Sequence, residues 1–452
     1  MIFESEVEDL KSALSALEPE LVARYGLVRQ CEKPNIPNGV ASCSKKLKPG
    51  AQCSLMCNPG YIKTPDKTST RCQEGGVWSQ EMECEIPLLL VSGGTVDSSN
   101  DGDSGVEVIS FHPSAGCDVS LPEMPLAGGS HRTLHNLVYV PPWIVLACNG
   151  LTNQKEATCD GLDLRNTNNT WGHHSYPNEA HYDMMSDIYC GSDYSRRQYK
   201  ERCDKETRMK RERKKGVYAA QSVNVGGTTF ISGGMVYDKK GHDPTGIVKK
   251  LSAGLHQYWP KDEDLEKKRA FFCAVKVKDR GYLAIGGLSN GGGRNVVENS
   301  VEFKSDNNYI GDLKLARDIA SMNTPRSGHG CAMLPGKDIS VLVSGGTKGI
   351  AHGEAALNGV EILNGTANSW TGMADMKIGR FGHAVVNVGD KIFAVGGDTK
   401  VPSHILESIE EYDMASNSWK IIQKKLKKPR ANFGFTLVPH SIFDGCIINK
   451  TK

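Results

Sequence analysis

One short segment concentrates imidazole and phenol side chains, which are ligands that transition metals accept. It reads WGHHSYPNEAHYD, and its candidate ligands are His173, His174, Tyr176, His181 and Tyr182. The clustering resembles a metal site only loosely, because all five residues come from one short stretch. We therefore expect no catalytic residue, no bound metal and no cofactor here.

A second group, whose side-chain oxygens could bind a metal ion, is the stretch DSSNDGD, from Asp97 to Asp103. Carboxylates in a loop can bind calcium, but this spacing does not follow the EF-hand pattern. A solvated turn is the favoured interpretation. The chain also has no nucleophile elbow, phosphate-binding loop or dinucleotide fingerprint.

The third group is a basic run, SRRQYKERCDKETRMKRERKKG. It has three interpretations: a solvated loop, a surface that captures an acidic glycan or acidic protein, and a site of proteolytic processing at RMKR (208–211). Nucleic-acid binding is disfavoured, because aromatic residues are not interleaved with the charges. The candidate binding residues are Arg196, Arg197, Lys200, Arg208, Lys210, Arg211, Arg213, Lys214 and Lys215.

The chain has 452 residues, a net charge of +2 and 14 cysteines. Its length predicts two or more domains, and its charge gives no global preference for nucleic acid. Six cysteines lie between Cys31 and Cys84, a density that indicates a disulfide framework and an oxidising compartment. The first residues do not form a signal peptide, so we expect the true N-terminal end to be missing. No apolar run is long enough to span a membrane.

Residues 1–29 are predicted to be helical, with apolar residues at alternating spacings of four and three. Two interpretations stay open: an amphipathic helix packed on its neighbours, or the end of a longer coiled coil. The second would allow a homo-oligomer. The seam consists of Phe3, Val7, Leu10, Leu14, Leu17 and Leu21.

Residues 31–85 resemble a sushi, or complement control protein, module. The matching features are Cys31 before PNG, Cys57 before NPGY, Cys72, Trp78 and Cys84. The resemblance implies disulfides Cys31–Cys72 and Cys57–Cys84. The additional pair Cys43 and Cys53 departs from the family pattern and is expected to form its own bridge.

From residue 87 onward two motifs recur six times. Short apolar strands end in a glycine pair or a close variant, as in LLLVSGG, IVLACNG and IFAVGG, and a basic residue stands three before a ring residue. A predicted third strand follows the glycine pair, and four of the repeats then have a tryptophan in a predicted fourth strand. The basic and ring pairs are Arg132/His135, Lys215/Tyr218, Arg269/Phe272, Arg326/His329, Arg380/His383 and Arg430/Phe433; the tryptophans are Trp171, Trp259, Trp370 and Trp419.

A repeat of 50 to 60 residues with four strands is typical of propeller blades, and these residues resemble the Kelch repeat. The predicted fold is thus all-β: a sushi module, then a six-bladed Kelch-type propeller over 87–446, preceded by a short helix and followed by a tail at 447–452. The C-terminal strand after Arg430 should pair with the N-terminal strands and close the ring. The long loops between second and third strands, together with the insertion at 173–214, predict one binding face.

The remaining cysteines and three sequons favour secretion. We expect disulfides Cys148–Cys159, Cys273–Cys331, Cys190–Cys203 and Cys117–Cys446. The candidate glycosylation sites are Asn168, Asn364 and Asn449.

Together these features predict a secreted or cell-surface protein that binds an extracellular protein or acidic glycan and is not an enzyme. Two alternatives stay open. Some Kelch-repeat propellers are copper radical oxidases, and the His/Tyr segment leaves an extracellular oxidase of the galactose-oxidase type possible. Many other Kelch proteins are intracellular scaffolds.

Overall fold

The structure is a computed structural model that is all-β within the residues it describes. In those residues we find one short 3-10 helix, His440–Ile442, and no α-helix. The helix predicted over 1–29 lies outside the described residues. The chain divides into two compact units, 1–58 with 63–85, and 59–62 with 86–452. The described residues are 30–44, 46–97, 102–112, 116–117, 119–126, 131–151, 158–165, 171–175, 217–225, 227–238, 241–252, 264–278, 280–291, 294–305, 319–335, 339–349, 354–400, 402–443 and 446–447.

The cysteine-rich region at 31–85 contains five short strands and a very small apolar core. Leu55 is one of its few fully buried aliphatic side chains. Three disulfides, Cys31–Cys72, Cys43–Cys53 and Cys57–Cys84, cross-link the region. They restrict the unfolded chain where apolar burial alone would be insufficient. The strands are β1 (Gly39–Cys43), β2 (Gln52–Cys57), β3 (Ile62–Lys63), β4 (Ser69–Arg71) and β5 (Cys84–Glu85).

The second unit consists of short antiparallel strands from Pro87 onward. They are β6 (Pro87–Ser92), β7 (Val106–Ile109), β8 (Gly116–Cys117), β9 (Asn136–Val140), β10 (Ile144–Cys148), β11 (Thr158–Asp163), β12 (Gly172–Ser175), β13 (Val217–Tyr218), β14 (Gln221–Val225), β15 (Thr228–Ser232), β16 (Met235–Asp238), β17 (Gly241–Pro244), β18 (Val248–Ser252), β19 (Cys273–Val277), β20 (Gly281–Gly291), β21 (Arg294–Ser305), β22 (Gly330–Met333), β23 (Ser340–Ser344), β24 (Val360–Asn364), β25 (Ser369–Met373), β26 (Ala384–Val388), β27 (Lys391–Val395), β28 (Ser408–Asp413), β29 (Ser418–Lys425), β30 (Gly434–Pro439) and β31 (Cys446–Ile447).

Six sheets built from these described strands share one order, in which a first, second and third strand pair antiparallel in succession. Sheet 1 takes its first strand from the far end of the chain: β30 pairs with β6, with Gly434 opposite Ser92 and Pro439 opposite Pro87. The C-terminal strand thus completes the N-terminal sheet, as the sequence predicts. The sheets are sheet 1 (β30, β6, β7), sheet 2 (β9–β12), sheet 3 (β14, β15, β18), sheet 4 (β19–β21), sheet 5 (β22–β25) and sheet 6 (β26–β29).

The second strand of each sheet is buried on both of its faces. In β23, for example, Val341, Leu342 and Val343 are all fully buried. Side chains alternate between the faces of a strand, so burial of consecutive residues means that packing covers both faces of the sheet. This packing explains why the second strands read as continuous apolar runs.

The first strands are joined by a closed ring of six backbone hydrogen bonds, one from each sheet to the next. Each donor N–H lies 2.8–3.0 Å from its acceptor carbonyl oxygen. All six residues have φ between +51° and +62°, the left-handed region. We call this set the hydrogen-bond ring, and in order it runs Leu134 to Asn432, Asn432 to Gly382, Gly382 to Gly328, Gly328 to Phe271, Phe271 to Ala219, and Ala219 to Leu134.

Candidate functional site

A buried arginine stands two residues before the hydrogen-bond ring in five of the six sheets. Each arginine is at most 2% exposed. Its Nη1 donates to the carbonyl that ends the second strand of its own sheet, as Arg380 does to Gly396 at 2.7 Å. A carboxylate of the same sheet compensates its charge. The pairs are Arg132–Asp160, Arg269–Glu302, Arg326–Glu361, Arg380–Glu410 and Arg430–Asp103.

These ion pairs have a structural role, because every arginine is buried and paired with a carboxylate and a backbone carbonyl. In the pair Arg380–Glu410, both side chains are 0% exposed. The acidic partner also accepts the backbone N–H of Lys377 and Ile378, so it fixes the segment that leads into the first strand. Sequence reasoning recognised the basic position but missed the acidic one. The sequence contains a signal for the acidic position, because five of the six third strands have an Asp or Glu.

The glycine pairs make room for two different contacts. At the first glycine of sheet 5, a Cβ added to Gly345 would lie 2.4 Å from the carbonyl oxygen of Arg380 and 2.6 Å from the ring of His383, both in sheet 6. At the second glycine, Gly346, it would lie 2.7 Å from the Ser327 carbonyl oxygen of the same sheet. Both glycines also have positive φ. The glycine pairs thus permit close contacts both with the next sheet and within their own sheet.

Sheet 3 departs from this pattern and corrects the motif assigned to it. The N–H of Gly150 donates to Val217, just as Gly346 donates to Arg380, so Val217 occupies the arginine position. Ala220 therefore occupies the ring position, and the predicted pair Lys215/Tyr218 is out of register by two residues. The third-strand residue at the acidic position is Lys249, opposite Ile231.

Three histidines at the ring position are buried and neutral. His135 accepts or donates a hydrogen bond with Ser92 Oγ at 2.9 Å, and His383 with Ser344 Oγ at 3.2 Å. Burial, followed by the charges of neighbouring arginines, lowers the pKa of each of these two to about 3. Burial also holds the pKa of His329 well below its ordinary value.

A pocket, which we call the axial pocket, lies among the starts of the first strands. The hydrogen-bond ring surrounds it, and Phe272, Phe433 and Phe435 add aromatic surface. It comprises about 560 Å³ of space free of protein atoms, part of it open to solvent. Because first strands begin where second strands end, the pocket lies at the same end of the sheets as the second-to-third-strand loops.

Among the described residues of that end, which we call the long-loop face, two hairpins extend from sheets 3 and 4. Strands β20 and β21 continue past Gly287 as a hairpin in which Asn290 pairs with Asn295. Beside it, β16 and β17 form a second hairpin, and Asn290 Nδ2 donates to Asp243 Oδ1 at 3.0 Å. Val296 is 45% exposed near the end of the longer hairpin. The two hairpins thus contact one another on the long-loop face.

A phenol and an imidazole meet on the same face. The hydroxyl of Tyr218 lies 2.5 Å from Nδ1 of His242, linking β13 to β17. Burial raises the pKa of Tyr218 to about 12, so the phenol stays protonated at neutral pH. This pair fixes the β16–β17 hairpin to the segment that carries the hydrogen-bond ring.

Several predicted site residues fall outside the described residues or side chains. These include the whole basic run, the candidate metal ligands from His173 to Tyr182, Trp259, Cys190, Cys203, and the sequon residues Asn168 and Asn449. In the part of the chain that the structure describes, no group of three or more His, Cys, Asp or Glu side chains could hold a metal ion. Asn364 is exposed at the end of β24, and its Oδ1 accepts the N–H of Thr366.

Five of the seven expected cysteine pairs are bonded in the structure. Besides the three near the N-terminus, Cys148 bonds Cys159 within sheet 2, and Cys273 bonds Cys331 between the first strands of sheets 4 and 5. The backbone of Cys446 pairs with that of Cys117 in the register of β31 and β8. The pairs Cys117–Cys446 and Cys190–Cys203 stay predictions.

Comparison with known proteins identifies both regions. The Sushi repeat (SCR repeat) family matches residues 31–84, and the Kelch motif family matches residues 379–425, which include sheet 6. Human Kelch-like protein 34 is 28% identical over 229 residues, 47% of this chain and 33% of that protein. Alpha-scruin of Limulus polyphemus is 32% identical over 74 residues, 16% of this chain and 8% of that protein.

Rat Kelch-like protein 7 is 36% identical over 66 residues, 15% of this chain and 11% of that protein. The chain thus spans a third or less of the curated relatives it matches. No helix in the described ranges is long and apolar enough to cross a membrane. The disulfides and the Sushi repeat are consistent with an extracellular protein. The chain carries an N-terminal sushi repeat followed by a Kelch region, and together these support a protein-interaction function.

Proposed function

We propose that residues 87–446 form a six-bladed Kelch-type propeller and that the protein binds a protein partner through the long-loop face. The closed hydrogen-bond ring and the pairing of β30 with β6 support six blades. Deleting the chain from Ala431 onward would remove the first strand of sheet 1. Loss of protease resistance and of the far-UV melting transition is then expected, and a truncated chain that melts like the full one would count against a closed ring.

The observation that carries the binding proposal is the pair of built-up hairpins at sheets 3 and 4. Long loops on a rigid set of strands are where binding residues concentrate. In sheet 6, by contrast, the first and second strands are joined by only two residues, since β26 ends at Val388 and β27 begins at Lys391. One end of the sheets thus offers a large irregular surface.

We propose further that the protein is secreted or displayed at the cell surface and is not an enzyme. Five disulfides and a sushi repeat support an oxidising compartment. In this setting the basic run at 196–215 would attract acidic groups of a glycan or protein. The sushi repeat would serve as a second contact or as a spacer, and two weak contacts would raise avidity if both engage.

The binding proposal is tested with the full chain, expressed behind an added signal peptide and screened against an array of cell-surface ectodomains. Val296→Asp adds a charge to the hairpin of sheet 4. Ile421→Asp is the matched control, because Ile421 is 51% exposed on the outer strand β29. A partner lost only with the first variant supports the proposal, whereas equal binding by both variants would refute use of this face.

Compartment is tested separately, by peptide mapping of the same product without reduction. Seven disulfides and a glycan on Asn364 are expected. Free thiols in a folded, unglycosylated product would refute secretion and favour an intracellular scaffold.

A further inference from the structure

The axial pocket is surrounded by side chains that carry no charge at neutral pH. Among the described residues that line it are Leu134, Ala219 and Phe271 of the hydrogen-bond ring, the phenylalanines at the ring position, and the three neutral histidines. The nearby arginines point into their own sheets, where a carboxylate and a carbonyl oxygen hold each of them. The polar groups left at the pocket are the amides Gln221 and Asn432.

Sheet 3 lines the pocket with two small side chains, Ala219 and Ala220. The other five sheets place an imidazole or phenyl ring against the preceding sheet's glycine, for example Phe272 against Gly233. Sheet 3 has Ala220 at this position, and the preceding sheet has Asn149 in place of the glycine. Sheet 3 therefore lines the pocket with the methyl groups of Ala219 and Ala220, where the other sheets present a ring.

We propose that the axial pocket receives one uncharged, mainly apolar side chain of the protein partner, which anchors the complex. This inference rests on the proposed function and specifies its partner. A charged group would lose its hydration in the pocket without gaining a counter-charge, which is unfavourable. An apolar group gains about 25 cal/mol for each Å² removed from water. Anchors that fill central pockets typically dominate the binding energy of an interface.

The pocket is tested without the partner, using three probes of the same size on the full chain: benzyl alcohol, benzoate and benzylammonium. Saturation-transfer NMR should detect benzyl alcohol alone. Ala219→Phe narrows the pocket with the residue that sheet 4 has at this position, Phe271, whose φ of +51° is close to the +53° of Ala219. It should weaken benzyl alcohol binding at least about tenfold.

A second variant tests the charge argument directly. Gln221→Lys keeps a side chain of similar length and adds a cation beside the pocket, so benzoate binding should appear. Ile421→Ala, far along the outer strand of sheet 6, is the control and should change none of the three probes. Preferential binding of benzoate by the unmodified chain, or benzyl alcohol binding unchanged by Ala219→Phe, would overturn the proposal.

The two proposals fail separately. If the probes contradict the pocket while Val296→Asp still abolishes partner binding, only the uncharged anchor is wrong. If the probes behave as expected but no partner depends on the long-loop face, the pocket stands as a site for free uncharged ligands and the anchor proposal is overturned.

Discussion

Replacing His383 by phenylalanine should make the second unit less sensitive to acid. Burial beside Arg380 and Arg326 lowers the pKa of His383 to about 3, from an ordinary value of 6.5. Between these values the unfolded chain binds a proton that the folded chain does not. Stability is therefore fully present above pH 6.5 and is lost as the pH falls toward 3.

The loss amounts to about 1.4 kcal/mol for each pH unit well below pH 6.5, and to about 2.3 kcal/mol between pH 6.5 and pH 4.5, because the unfolded imidazole is half protonated at pH 6.5. Phenylalanine fits this position, since Phe272 and Phe433 occupy it in sheets 4 and 1. His383→Phe gives up the hydrogen bond with Ser344, a cost of about 1 kcal/mol. The variant should thus be the less stable protein at pH 7.5 and the more stable one below about pH 6.

Urea unfolding of the full chain at intervals of half a pH unit measures this difference. Tryptophan fluorescence reports mainly on the second unit, which holds five of the six tryptophans. His404→Gln removes an exposed imidazole and serves as the control. Parallel stability curves for His383→Phe and the unmodified chain would show that the buried imidazole does not stay neutral, and would refute the reasoning.

Three further changes probe the contacts between and within sheets. Gly345→Ala forces positive φ on a residue whose Cβ would lie 2.4 Å from a backbone oxygen, so unfolding in urea should become easier by about 2 kcal/mol. Replacing Cys273 and Cys331 together by alanine removes the bridge between sheets 4 and 5, and a loss of about 2–4 kcal/mol is expected in the same assay. Val217→Arg buries a cation in a sheet that has Lys249 at the acidic register position, and it should cost about 3 kcal/mol or more. The double variant with Lys249→Glu should recover most of this loss. A double variant no more stable than the single one would contradict the register of sheet 3.

The strand order of the second unit was predictable because its signals are local. A short apolar strand that ends in a glycine pair marks each hairpin without reference to the rest of the chain. Pairing of the C-terminal strand with β6 was predictable too, because the repeat begins on a second strand and ends on a first one. Two disulfides of the cysteine-rich region, Cys31–Cys72 and Cys57–Cys84, followed from a family resemblance and not from spacing, which allows several pairings. The third, Cys43–Cys53, was expected because these two cysteines lie outside the family pattern.

The acidic partners of the arginines were not predictable from one strand alone. In a sequence, Glu361 or Glu410 alternates with apolar residues and therefore looks like a residue that faces solvent. The glutamate is buried only because a neighbouring sheet packs against that face of the strand. Comparing all third strands at once would have revealed the position, because a solvent-facing residue has no reason to be acidic in five sheets out of six.

In sheet 3, the misplaced pair Lys215/Tyr218 is a consequence of overlooking the acidic position in the third strands. Lys215 and Tyr218 have the spacing of the basic and ring pair, but they lie two residues before the true positions, Val217 and Ala220. Their distance from the next glycine pair is within the range of the other repeats, so it did not reveal the misassignment. Four of the five arginines are paired with an acid in the third strand, and Arg430 is paired with Asp103 shortly before it. An arginine in sheet 3 would therefore be expected to have its acid in β18. That strand reads VKKLS and has none, with Lys249 at the acidic position. A buried charge and its partner can be lost only together, because either one alone would be uncompensated. The absence of the acid therefore predicts the absence of the arginine. Val217 then takes the arginine position and Ala220 the ring position, so that sheet 3 lines the axial pocket with Ala219 and Ala220.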